Sequence, residues 1–261
     1  MGGGSCCPAE QPVDSVDEVD GTHAVTWTLT APAWSGSSST RPRVFYPLPV
    51  DRDQIFAATA QERRGIADLI DDLDEAQLAT PSLCSGWDVK TVAAHIACSV
   101  ADGLPAQWKT ALRRGSLARA TDEFARRRAQ LPAAEIAATL RERADYRLSP
   151  PVVGPVGPLT DILIHSGDIR IPLGLPFEPD AGQVASALDF LTGTWPLGLV
   201  RRGRLSGIKL TDSRTGRSWR KGAEIRGPAA ALMMAVSGRT ALFGTLDGPG
   251  LELLAQRLAS R

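Results

Sequence analysis

From Asp51 onward the chain carries an apolar stripe at helical spacing. Ile55, Ala58, Ile66, Leu69, Ile70 and Leu73 fall on one face, with Arg63, Arg64 and Asp68 assigned to the opposite one. This period confines the segment to an amphipathic helix that needs partners, and the sequence supplies them. Asp88 stands where an N-cap belongs, and Val92, Ile96 and Val100 recur at i, i+4 and i+8. A third helical region is expected from about Arg119 to Leu148, interrupted near Pro132, and a fourth from Leu159 to about Arg170, ended by Pro172 and Gly174. Four such helices with polar outer faces predict an antiparallel bundle over residues 49–176.

The pattern changes after about Phe177. A helix is expected over Ala181 to Leu199, then a strand at Ile208 and Leu210, a turn at Ser213 to Gly216, and a returning strand holding Trp219. A short strand, Ala223 to Arg226, runs into Gly227-Pro228. Two more helices should follow, Ala229 to Val236 and about Gly250 to Leu258. Residues 177–261 thus read as a small α+β domain, and the fold class is α+β. Residues 1–48, rich in Gly, Ser, Thr, Pro and Asp, read as a disordered leader.

Composition excludes several functions. The 29 basic and 29 acidic residues cancel, so no net field draws the chain to nucleic acid or anionic lipid. The Arg126 to Arg128 run has no aromatic interleaving and reads as a solvated helix face. No apolar run is long enough to span a membrane, and a cytoplasmic setting is expected. Cys6, Cys7, Cys84 and Cys98 form no CxxC pair and read as reduced thiols. There is no Walker loop, dinucleotide fingerprint, HExxH or G-x-S-x-G elbow.

Of the three histidines, His23 lies in the leader and the other two lie on expected bundle helices. His165 follows Asp161 by four residues, so both project from one helix face. His95 lies one turn beyond Val92, at the edge of an apolar stripe. Two imidazoles and a carboxylate converging inside a bundle make a three-ligand divalent metal site with an open position for water or a thiol. The competing reading is a core histidine beside an ordinary Asp–His hydrogen bond. Cys98, three residues after His95, is either a soft ligand or a buried thiol packing as a small apolar group.

The segment Cys84-Ser85-Gly86-Trp87-Asp88-Val89-Lys90-Thr91-Val92-Ala93-Ala94-His95 resembles the loop-and-helix signature of the mycothiol-dependent maleylpyruvate isomerase family, a DinB-like bundle group. A second match is Asp161-Ile162-Leu163-Ile164-His165-Ser166-Gly167-Asp168, closed by Gly174. Ile225-Arg226-Gly227-Pro228 and Ser237-Gly238-Arg239 look like landmarks of the same family. The resemblance implies a zinc-type divalent ion held by His95, Asp161 and His165. It also implies mycothiol as thiol cosubstrate and a small electrophilic substrate bearing carboxylates. An arginine of the C-terminal segment is implied to reach those carboxylates, with Arg239 the first candidate and Arg226 the second. Asp168 is expected to support a ligand or cap the turn, and Trp87 to anchor its loop.

The family usually has Glu where this chain has Asp161, one methylene shorter. Two other functions therefore stay open beside the thiol-dependent isomerase or transferase: a metal-dependent hydrolase without thiol, and a non-catalytic binding protein with a degenerate site.

Overall fold

A computed structural model describes residues 51–101, 115–193 and 199–260. The expected leader, with Cys6, Cys7 and His23, lies outside the described residues. The first helix, α1 (Arg52–Asp72), opens on a capping box in which the Asp51 side chain receives a backbone N–H and Gln54 reaches back. Asp74 and Gln77 repeat that device in the short α2 (Glu75–Leu78). Asp88 starts α3 (Val89–Ala101) by accepting from the Thr91 N–H at 2.7 Å, as its position in the sequence implied.

The third helical region is two helices, α4 (Leu117–Arg128) and α5 (Ala133–Glu142). Pro132 is the N-cap of the second, which explains the break. The fourth expected helix is α6 (Val156–Arg170); it starts one turn early. Gly174, at φ +68°, allows the reversal after it.

α3 and α6 depart from the amphipathic expectation. From Leu159 to Ile169 every residue of α6 except Asp161 is buried, and α3 is nearly as enclosed. The cause is non-local. α3 packs against α1, α4, α5 and α6, while the remaining face of α6 is covered by α7 (Ala181–Thr192) and α8 (Ala229–Val236). A helix covered on both sides has no polar face to display. α7 ends at Gly193, short of the expected Leu199.

A second departure is Arg63. Expected on the solvated face of α1, it is only 2% exposed. Its Nη1 donates to the carbonyls of Ala144 (2.7 Å) and Tyr146 (2.8 Å) just beyond α5, which makes its burial tolerable.

The sheet holds β1 (Ile208–Asp212), β2 (Ser218–Trp219) and β3 (Ala223–Gly227) in the order β2-β1-β3. β1 and β2 form the expected hairpin, with Leu210 opposite Trp219. The Asp212 carboxylate holds its turn by accepting from the Arg214 and Thr215 N–H groups. β3 runs parallel to β1, with Ile208 beside Ala223 and Leu210 beside Ile225. α9 (Pro249–Ala259) packs on β3 and β1. The mostly helical chain with a small sheet bears out the α+β class. Among the described residues no helix is long and apolar enough to cross a membrane.

Candidate metal centre

The two enclosed helices bring the candidate ligands together. His95 comes from the middle of α3, and Asp161 and His165 from successive turns of α6. One donor atom from each lies within 4.8 Å of the others. The His95 Nε2 is 3.5 Å from Asp161 Oδ2, and the His165 Nε2 is 3.4 Å from Asp161 Oδ1. Tetrahedral ligands with bonds of about 2.0–2.1 Å lie roughly 3.3–3.4 Å apart. The two Asp161 contacts come close to that spacing, each through a different carboxylate oxygen. The cluster as a whole spans up to 4.8 Å, so a bound ion would draw the three side chains closer together. The mixed imidazole and carboxylate set is of a kind that suits zinc.

His165 is oriented from behind. Its Nδ1 lies 2.9 Å from Asp168 Oδ2, leaving Nε2 directed at Asp161. Asp168 is fully buried and accepts from Arg239 through Nε (2.8 Å) and Nη2 (2.6 Å). Arg239 Nη1 donates to the Ser237 carbonyl. Arg239, Asp168 and His165 thus form one chain of charge-assisted bonds from the end of α8 to the candidate ligands.

Burial opposes charge on each of these groups, and the partners outweigh it. For His165, the Asp161 charge and hydrogen bond raise the pKa to about 9. Burial likewise opposes ionised Asp161, yet the two imidazoles hold it well below the usual carboxylate range. Asp168 is held low against its own burial by His165 and Arg239. Burial pushes the Cys84 thiol up to about 11, with Arg239 acting against the shift.

The loop before α3 closes one side. The Trp87 ring centroid lies 5.2 Å from that of His95 and 6.4 Å from that of His165. The Trp87 indole N–H donates to Asp122 of α4 at 2.7 Å, and Arg126 Nη2 donates to the Gly86 carbonyl. Leu83 N–H donates to the Asp168 carbonyl at 3.3 Å. Trp87 anchors the loop and also borders the site.

The triad opens on a cavity of about 680 Å³, bordered also by Cys84, Trp87, Arg201, Arg204 and Arg239. Arg239 is thus at the cavity but spends its donors on Asp168 and Ser237. Arg226 is exposed on β3 and is not among the cavity's lining residues. Cys98 is not part of the ligand cluster; its thiol donates to the Phe124 carbonyl. Asp122, Arg201 and Arg204 were not singled out from sequence. The first pairs with Trp87 across 35 residues, a separation at which local pattern carries no signal.

A helical bundle whose central helices hold a His-Asp-His cluster, finished by a three-stranded α+β layer, is the class of protein these features define. Residues 59–149 match the family model described as the mycothiol maleylpyruvate isomerase N-terminal domain. That stretch holds the first of the two motifs, Cys84 to His95, and agrees with the resemblance it carries; the second motif, Asp161 to Asp168, lies beyond it. No curated protein gives a significant match. Among solved structures, that of a mycothiol-dependent maleylpyruvate isomerase superposes with TM-score 0.54 at 13% identity, covering 77% of this chain and 93% of that one. A histidine-to-alanine mutant of a mycothiol-dependent maleylpyruvate isomerase gives 0.55 with the same identity and coverage. At such identity these likenesses establish the fold.

Proposed function

We propose that this chain is a metal-dependent enzyme that uses a low-molecular-weight thiol, mycothiol, to isomerise a small electrophile or transfer the thiol to it. The observation that carries this reading is the convergence of His95, Asp161 and His165 at the wall of a cavity of about 680 Å³. That volume lies in the range of small-molecule and cofactor sites.

The three side chains would hold a zinc-type ion, whose chemistry when bound is to deprotonate a coordinated thiol that is otherwise mostly protonated at neutral pH. The protein's own residues do the rest. Asp168 fixes the ring orientation of His165, and Arg239 keeps Asp168 ionised. Trp87 shields the imidazoles from water on the loop side. The half-buried Cys84 thiol, held protonated, leaves the nucleophile's role to the incoming thiol. For an electron-poor cis double bond, thiol addition gives a single bond that rotates, and elimination returns the thiol with the trans product.

Elemental mass spectrometry on the full chain tests the site. About one zinc-like ion per chain, lost in His95→Ala and in His165→Ala, is expected. Turnover of an electron-poor cis-alkene acid should then need both metal and thiol. Metal-dependent turnover without thiol would replace this reading by the hydrolase. Absence of metal after reconstitution would replace it by the binding protein.

A further inference from the structure

His95 and Asp161 also border a second, smaller cavity of about 190 Å³. Its wall also includes Thr59 and Arg63 of α1. Arg63 is an unusual residue to find there. It is 2% exposed, and among the described residues no carboxylate lies within ion-pair distance of it. Asp145, which acts on it electrostatically, pairs with the exposed Arg64 instead. The hydrogen bonds of the guanidinium to the Ala144 and Tyr146 carbonyls both run through Nη1, and Nε has no partner.

A purely structural role explains the Nη1 bonds but leaves the rest of the fork idle. An unpaired buried cation is costly, and a buried donor without an acceptor adds to that cost. Nε is sealed from the cavity, and Nη2 is the donor left to face it; a carboxylate there would supply the missing counter-charge and an acceptor for Nη2. The volume limits the guest. A cavity of about 150 Å³ holds a benzene-sized molecule, so this one takes a single compact acid and is too small for a sugar-bearing thiol.

We propose that Arg63 is the carboxylate-binding residue of this smaller cavity: a compact organic acid rests one carboxylate on Arg63 while its other end lies against His95 and Asp161. The inference rests on the metal-and-thiol reading and divides its ligands, with the thiol in the larger cavity and the acid in the smaller. Arg201 and Arg204, which border the larger cavity, are the rival positions for the carboxylate.

Calorimetric titration of the full chain with maleate tests this, using wild type, Arg63→Lys, Arg63→Met and Arg201→Ala, with zinc content measured on the same samples. Maleate should bind wild type, bind Arg63→Met at least tenfold more weakly, and bind Arg201→Ala within twofold of wild type. Arg63→Lys should fall between. Arginine Nε–H NMR adds a readout in the native protein: maleate should shift one wild-type resonance, the one missing from the spectrum of folded Arg63→Lys. Absence of maleate binding, an unmoved Arg63 resonance, or a loss confined to Arg201→Ala overturns the inference. If zinc binds and turnover is thiol-dependent while Arg63 proves indifferent to maleate, only this inference falls. If zinc does not bind, the parent reading falls, and the same titration on metal-free protein still decides Arg63.

Discussion

Arg239 grips the buried carboxylate of Asp168 with two donors, Nε at 2.8 Å and Nη2 at 2.6 Å, from a position 71 residues further along the chain. The same carboxylate faces His165 Nδ1. An arginine that was a candidate to hold substrate therefore has most of its capacity committed to positioning a candidate ligand. Arg239→Ala should destabilise the fold by about 3 kcal/mol or more, because it leaves Asp168 buried without its cation. Asp168→Asn should weaken zinc binding about 10–100-fold by releasing His165. Chemical denaturation and chelator competition measure the two. An Arg239→Ala protein of unchanged stability would sink the positioning role.

His165 predicts opposite pH trends with and without metal. Its pKa is raised in the folded metal-free chain to about 9, against about 6.5 unfolded. The stabilisation this gives is fully present below about pH 6.5 and is lost as pH rises through about 9. The melting temperature of metal-free protein should therefore fall over that window. Metal must displace the same proton, so apparent zinc affinity should rise about tenfold per pH unit from pH 6.5 to 8. A pH-independent affinity over that range would rule out the proton competition.

Cys84 should be a poor nucleophile. With its thiol pushed up to about 11 by burial, about one molecule in a thousand is thiolate at pH 8. In a background with Cys6 and Cys7 replaced by serine, alkylation by iodoacetamide should be slow at pH 8. Its rate should climb about tenfold per pH unit up to pH 10. Cys84→Ser should retain thiol-dependent turnover; its loss would assign Cys84 a part in the chemistry.

Gly167 lies between His165 and Asp168, where α6 meets α8. A Cβ at this position would lie 2.7 Å from Met234 Cε, 2.8 Å from Met234 Sδ and 3.0 Å from Phe177 Cζ. Met234 is fully buried and has little room to retreat. Gly167→Val should cost about 1–3 kcal/mol through overpacking and lower metal retention by moving Asp168. Thermal unfolding and metal content report both effects.

The parts of the fold legible in sequence were those written locally. Asp88 announced a helix start by residue type and position, and the Ser213 to Gly216 turn announced the hairpin. His165 and Asp161 were legible as neighbours because four residues is one helical turn. Arg63 is the opposite case. It lies three residues before Ile66 and seven before Ile70, a spacing that places it on the apolar stripe, whereas an arginine ordinarily marks a solvated face. Only the carbonyls of Ala144 and Tyr146, 81 and 83 residues away, make its burial tolerable. The burial of α6 and the bond between Asp168 and Arg239 share that non-local origin.

The bidentate pairing also bears on how such chains change over evolutionary time. A bundle whose α6 carries an ionised, buried Asp168 cannot shed the segment that supplies Arg239 without stranding a charge in its interior. Loss or replacement of that segment thus requires a compensating change at position 168. The two ends of the pairing are coupled energetically, so a recombination that joins this bundle to a foreign tail lacking an arginine there begins with a handicap.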